Sequence, residues 1–338
     1  MNLIDIGWAH YAPEQAPPPN CGRVALVYRN RFLIWTAAGE VTATLSGQLR
    51  HLASGPPCVG DWIIFRKGAV ISGILPRRAS LCRKEPGRRM QPQVLAANMD
   101  LLFIVSGLDR DYNPRRIERY LVLAYESGAR PIVLLNKSDL RSDIDDVIHL
   151  TKEHAPGVSV FTLSALWQWD LNAITSNIAP GETAALIGSS GAGKSTIVNA
   201  LLGENRQRTT LVRESNSKGR HTTTHRELIH MPSGWLLMDL PGLRELQLWA
   251  DPENIDDAFA EIAALAAHCK FRDCLHQSEP GCAVRHADLD PARLVSYLKL
   301  QRELHHLEIK ADIHRAREER KKWNAIEKDV RRHPKRRF

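Results

Sequence analysis

The sequence predicts three unlike parts in series: an all-β barrel, an α/β layer on a parallel sheet, and a helical C-terminal module. Three observations carry this. Residues 22–75 hold five short β-type runs separated by turn residues, and residues 94–240 alternate apolar strand-like runs with helical stretches. Cys269, Cys274 and Cys282 then gather beside histidines in an otherwise helical, charged region. At 338 residues the chain also exceeds what one typical domain needs. The expected boundaries are a lead-in at 1–21, the barrel at 22–92, the α/β domain at 93–250 and the helical module at 251–338.

The lead-in is rich in Pro and Ala over 11–20 and reads as irregular. In the barrel the runs fall at 23–28, 31–36, 40–45, 61–65 and 69–75. Arg29-Asn30, Ala38-Gly39, Ser54-Gly55-Pro56-Pro57 and Lys67-Gly68 punctuate them. Five short strands in this space suit an OB-fold, and an SH3-like barrel has similar punctuation. The basic stretch 83–93, with Pro86-Gly87 and Pro92, reads as a linker. Apolar runs at 101–105, 131–135, 160–163, 183–187 and 235–238 read as buried strands, with helices at 115–126 and 194–202 between them. Asp251-Pro252 supplies an N-cap and a first-turn proline for a helix over 251–267, whose apolar positions are Ile255, Ala258, Phe259, Ile262 and Leu265.

Bulk composition narrows the class. With 43% hydrophobic and 25% charged residues the chain reads as globular. Its formal charge of +8 is concentrated: residues 311–338 hold eleven Lys/Arg against five Asp/Glu, and Arg77, Arg78, Arg83, Lys84, Arg88 and Arg89 form a second cluster. Two basic segments suit a polyanion such as nucleic acid. No secretory leader and no long apolar span is visible, and the cysteines do not form a disulfide pattern, so a cytoplasmic protein without a membrane partner is expected.

Gly188-Ser189-Ser190-Gly191-Ala192-Gly193-Lys194-Ser195 fits GxxxxGK[ST], between an apolar strand and a helix that opens at Thr196. Its glycines let backbone N–H groups converge on phosphate oxygens, Lys194 reaches the β- and γ-phosphates, and the Ser195 hydroxyl suits Mg²⁺. Asp239-Leu240-Pro241-Gly242 fits DxxG downstream. There Asp239 reaches Mg²⁺ directly or through water, and the Gly242 N–H approaches the γ-phosphate. Asn136-Lys137-Ser138-Asp139 fits NKxD. Its Asp139 carboxylate accepts from guanine N1–H and the exocyclic amine, which adenine cannot offer. Ser164-Ala165, after the next strand, can offer a backbone contact to guanine O6. NKxD precedes the phosphate loop, the reverse of the usual order, which predicts a circularly permuted nucleotide domain specific for GTP. Leu45-Ser46-Gly47-Gln48 has the look of an ATP-binding-cassette signature, but it lies in the barrel.

Leu243 follows DxxG where Ras-like proteins hold a water-orienting glutamine. Slow intrinsic hydrolysis is therefore expected, unless another residue acts. In the switch segment Gly219-Arg220-His221-Thr222-Thr223-Thr224, one threonine hydroxyl suits Mg²⁺. His221 either positions water or is simply exposed. The set Cys269, Cys274, His276 and Cys282 spells C-x4-C-x-H-x5-C, three thiolates and an imidazole that suit a closed structural Zn²⁺ site. His268 or His286 could replace His276, or the cysteines could be free and buried.

Taken together these motifs resemble the RsgA (YjeQ) family of circularly permuted GTPases over almost the whole chain. The likeness rests on the order NKxD, Ser164-Ala165, phosphate loop, 219–224 and DxxG. It also includes Gly60-Asp61-Trp62, Pro76-Arg77-Arg78 and Gly281-Cys282-Ala283-Val284. Ala192 and Thr196 depart from the Val and Ser expected there, within the tolerance of a phosphate loop. The resemblance implies an N-terminal OB-fold, the permuted GTPase and a C-terminal zinc domain. It implies a monomer that binds the small (30S) ribosomal subunit and its rRNA, with GTP hydrolysis stimulated by the subunit late in its maturation. It also makes Thr223 the switch Mg²⁺ ligand and His221 the catalytic candidate. The rival readings are a nucleotide-gated RNA-binding protein and a permuted GTPase with a non-ribosomal partner. Because DxxG lies about ten residues before the 251–267 helix, switch state is expected to pass into the C-terminal module.

Overall fold

Turn residues and alternating burial first build a closed barrel. Its strands are β1 (Cys21–Tyr28), β2 (Arg31–Thr36), β3 (Gly39–Leu45), β4 (Trp62–Arg66) and β5 (Val70–Ile74). The pairing runs β1–β2–β3, crosses from β3 to β5 in parallel, and returns through β4 to β1. Closure removes the exposed edges that an open sheet would offer to other chains. Val24, Phe32, Ile34, Ala43, Ile63 and Ile71 fill the interior. This five-stranded OB-type barrel is the one the turn spacing predicts. The computed structural model describes residues 2–28, 31–47, 49, 55–84, 92–203, 226–240 and 252–307, with residues 309, 313 and 320 beyond.

The basic stretch 83–93, expected as a linker, contributes its described ends to a hairpin of β6 (Ser80–Lys84) and β7 (Pro92–Ala97), paired Lys84↔Pro92. The α/β layer follows as β8 (Leu101–Gly107), α1 (Pro114–Ser127), β9 (Arg130–Asn136), α2 (Ile144–His154), β10 (Ser159–Leu163), β11 (Thr183–Gly188), α3 (Lys194–Leu202), β12 (Glu227–His230) and β13 (Leu236–Asp239). The sheet order is β10-β9-β8-β11-β13-β12, parallel except for β12. Side chains alternate faces along a strand. Leu102 and Ile104 therefore join one core, while Leu101, Phe103 and Val105 join the other.

The antiparallel strand β12 escaped the sequence reading, and it joins the two domains. β1 shifts register between Val24 and Leu26, and Leu26 then pairs with Glu227 of β12, so barrel and α/β layer share one continuous sheet.

The lead-in also differs from expectation at its start. Residues 12–20 lack regular structure, but Ile4–Trp8 and Ala9–Tyr11 form helical turns. Trp8 is buried edge-on against Trp62, with ring centroids 4.8 Å apart. Arg23, itself buried, donates to the carbonyls of Ile6 at 2.6 Å and Asn98 at 2.8 Å, tying lead-in, barrel and α/β layer together. Burial lowers the Arg23 guanidinium pKa to about 10, against opposing pulls from Asp100 and Asp61.

Helix α1 has the signals its residues promise: Asn113 caps it, Pro114 opens it, and left-handed Gly128 ends it. Beyond the α/β layer the expected single helix over 251–267 divides into α4 (Pro252–Ala258) and α5 (Ala260–Ala266). Phe259 leaves helical geometry at φ −127°, ψ 44°, where its buried ring packs against Tyr297 at 5.5 Å between centroids. A short helix α6 (Ala283–His286) and a long one, α7 over residues 291–307, complete the module.

Candidate nucleotide site and metal centre

Parallel strands bring their carboxyl ends to one edge of the sheet, where open α/β folds bind ligands. Gly107, Asn136, Gly188 and Asp239 end β8, β9, β11 and β13 there, and Ser164 follows β10 directly. Motifs distant in sequence consequently meet. The buried Asn136 amide donates to the Ala192 carbonyl of the phosphate loop at 2.9 Å and accepts from the Ala165 N–H at 3.0 Å. One side chain thus clamps NKxD, the 164–165 turn and the phosphate loop. Gly193 makes that contact possible: its φ is +96°, and a Cβ there would collide with the Asn136 amide. The Ser164 hydroxyl donates to the Asp139 carboxylate, which orients it. Ser164-Ala165 is expected to offer a backbone contact to guanine O6; of its backbone groups, the Ala165 N–H is here engaged by Asn136.

The phosphate loop runs from Gly188 through Ser189, Ser190 and Gly191 into α3, whose first turn holds Lys194, Ser195 and Thr196. The Lys194 ammonium donates to the carbonyls of Gly188 and Ser189, both at 2.7 Å. Burial draws its pKa below the usual lysine range, while Asp111 and Asp239 pull it back. Asp239 ends β13, the strand paired with β11, and Ser195 is exposed in the first turn of α3. A carboxylate and a hydroxyl are the hard oxygen donors that Mg²⁺ takes alongside phosphate oxygens. Gly242, Leu243 and the switch residues His221 and Thr223 lie outside the described residues.

Sequence reading missed two carboxylates at this edge. Asp109 and Asp111 follow β8. Asp109 pairs with the Lys137 ammonium, and Asp111 accepts from the Ser189 hydroxyl. The Lys137 hydrogen bond holds the Asp109 carboxyl below its ordinary range. Their position just past the first parallel strand was the one available signal.

The second site is a donor cluster. Among the described residues, Cys269, Cys274, His276 and Cys282 have ligand atoms all within 4.8 Å of one another. The Cys269 and Cys282 sulfurs are 3.9 Å apart, and they lie 3.6 and 3.4 Å from His276 Nδ1. A tetrahedral ion with metal–sulfur bonds of about 2.3 Å needs ligand edges of about 3.8 Å, so the set fits a metal of that type. Neither His268 nor His286 belongs to this cluster. Among the described residues no helix is long and apolar enough to cross a membrane.

Comparison with known proteins places the chain among similar sequences and structures. Residues 74–249 match the family model described as RsgA GTPase. The chain is 44% identical to the small ribosomal subunit biogenesis GTPase RsgA of Opitutus terrae, over 96% of each chain. Among solved structures it resembles YjeQ from Thermotoga maritima, with TM-score 0.64 and 24% identity over 84% of this chain and 98% of that one. It also resembles YloQ, described as a circularly permuted GTPase, with TM-score 0.62 and 24% identity over 88% of this chain and 98% of that one.

Proposed function

Since the chain belongs to the RsgA GTPase family, we propose that it acts as a GTP-driven timer in late maturation of the small ribosomal subunit. It is a GTP-hydrolysing enzyme. In this reading it binds the 30S particle and its rRNA, hydrolyses GTP when the particle stimulates it, and departs with GDP bound. The observation that carries the nucleotide half is the Asn136 clamp, which supports a single site from motifs 56 residues apart. The name of the Opitutus terrae relative supports the ribosomal half.

Asp139 would read the guanine N1–H and amine, held in place by Ser164. The Ala165 N–H would be shared between Asn136 and guanine O6. Backbone N–H groups from Ser189 to Thr196 would cradle the phosphates, with Lys194 leaving its carbonyl partners to meet them. Mg²⁺ would be held by Ser195, Asp239 and Thr223, and when bound it neutralises charge on the β- and γ-phosphate oxygens. Gly242 would sense the γ-phosphate. His221 would orient the attacking water in place of the glutamine that Leu243 cannot be. In this reading the protein works in the cytoplasm as a monomer. Its barrel and basic C-terminal segment would meet rRNA through salt-sensitive phosphate contacts.

The test is GTP turnover with and without purified small subunits. Turnover should be slow alone, rise strongly with small subunits and remain low with ATP. His221→Ala should remove the stimulated rate while leaving GTP affinity intact. Equal stimulation by large subunits, or ATP turnover matching GTP, would overturn the reading. Unchanged turnover in His221→Ala would remove that residue from the catalytic role.

The metal-donor cluster is proposed as a structural zinc site with Cys269, Cys274, His276 and Cys282 as its four ligands. Zinc there would staple the segment between α5 and α6, which has little apolar core of its own. Protein purified without chelator should carry about one zinc per chain, lost in the Cys274→Ser, Cys282→Ser double variant. Elemental analysis finding no metal in the unaltered protein would contradict this.

A further inference from the structure

The loop between β8 and α1, residues 108–113, lies where the order of strand addition reverses, though the strands themselves stay parallel. From β8 the strands proceed outward through β9 to β10, and on the other side β11 leads to β13. Such a reversal opens the crevice in which ligands of parallel sheets are held. One carboxylate of this loop engages each half of the nucleotide site. Asp109 pairs with Lys137 of NKxD, and its other oxygen accepts the Asp111 N–H at 3.1 Å. Asp111 accepts from Ser189 of the phosphate loop, while its second oxygen takes Arg116 of α1 at 2.5 Å. The fit is close: a Cβ on Gly107 would lie 3.1 Å from the Asp109 carboxylate and 3.5 Å from the Lys137 stem.

We infer that Asp109 and Asp111 are positioning residues of this site, Asp109 fixing the base-side lysine and Asp111 setting the preference between di- and triphosphate. The inference rests on the guanine-nucleotide reading above and deepens it. Lys137 has a left-handed backbone at φ 66°, and its side chain is long and flexible. Tethering its ammonium removes that freedom before the nucleotide arrives, which is preorganisation. The effect does not depend on the number of phosphates, so it falls equally on GDP and GTP.

Asp111 acts differently. Its carboxylate touches the side chain of the loop whose N–H groups face the phosphates, and its charge acts on Lys194. Negative charge there opposes the incoming phosphates, and it opposes GTP more than GDP because GTP carries the larger negative charge. The loop is therefore biased toward the diphosphate until Asp111 is drawn away or paired more fully with Arg116.

Titration of fluorescent GDP and GTP into the full-length protein tests both assignments. Asp111→Asn keeps a hydrogen-bonding side chain and removes the charge, so the ratio of GTP to GDP affinity should rise about three- to tenfold. Asp109→Asn should weaken both nucleotides about tenfold at an unchanged ratio, and Asp109→Glu should restore part of the loss. An unchanged ratio in Asp111→Asn overturns its assignment. So does an equal loss for both nucleotides accompanied by a lower melting temperature, because that marks a merely structural role. Undiminished affinity in Asp109→Asn overturns the other. Failure of the unaltered protein to bind guanine nucleotides would overturn the guanine reading itself, and this inference with it.

Discussion

Replacing Asp139 by Asn should lower kcat/KM for GTP by about three orders of magnitude and create turnover of xanthosine triphosphate. The carboxylate has only acceptors, and in the proposed site guanine would present two donors to it, N1–H and the exocyclic amine. Hydrogen bonds to a charged partner contribute about 1.5–3 kcal/mol each. Losing one and leaving two donors facing each other costs about 4 kcal/mol, which is about a thousandfold. The orientation of the new amide is set by its surroundings. Ser164 is fully buried and its hydroxyl donates to Asp139, so the asparagine oxygen should turn toward Ser164 and its NH₂ toward the base. Xanthine carries a carbonyl where guanine carries the amine, and that carbonyl accepts from the NH₂. Steady-state rates with GTP, XTP and ATP decide the matter. GTP turnover unchanged in the variant, with no gain for XTP, would show that Asp139 does not read the base. A melting curve matching the unaltered protein separates that outcome from misfolding.

The motifs of this site were legible because each is local. NKxD, the phosphate loop and DxxG each occupy a few consecutive residues, and apolar runs before them mark the strands that present them. Their meeting was not legible: nothing near Asn136 in the sequence indicates that its amide will grip Ala192. The same limit hid Asp109 and Asp111, whose partners come from β9 and the phosphate loop. Turn residues disclosed the barrel, yet its continuity with the α/β sheet depends on one long-range pair, Leu26 with Glu227. Apolar spacing predicted one helix across Phe259. The break there follows from what the ring packs against, and those neighbours, Tyr297 and Arg293, come from α7. Local propensity is a weak prior wherever tertiary burial decides. The switch segment, with His221 and Thr223, stands on sequence alone because it lies outside the described residues.

Replacing Arg293 by Met should loosen the C-terminal module from the α/β layer at a cost of about 3–5 kcal/mol, the usual consequence of stranding a buried charge. Glu118 of α1 is fully buried and accepts from Arg293 at 2.9 Å, from the Ser296 hydroxyl, and makes a 2.6 Å contact with His154 Nδ1. Arg293 in turn donates to the carbonyls of His154 at 3.1 Å and Ala258 at 3.0 Å, pairs with Glu261, and lies 4.6 Å over the Phe259 ring. These contacts span α1, α2, α4, α5 and α7, so one guanidinium stitches the module to the same helix that leaves the nucleotide loop. At the rim of this interface the partly exposed Arg119–Glu303 pair should matter far less, because solvent screens it. Expectation from sequence placed the link to the module at the DxxG end. Residues 241–251, which would carry that link, lie outside the described residues, whereas a buried link runs through α1. Hydrogen exchange across residues 291–307 should accelerate strongly in Arg293→Met, and less in Glu118→Leu combined with Arg293→Met, where no buried charge is left unpaired between them. If exchange in the single variant matches the unaltered protein, the network does not hold the module in place. If the double variant exchanges faster than the single one, unpaired charge is not the source of the cost.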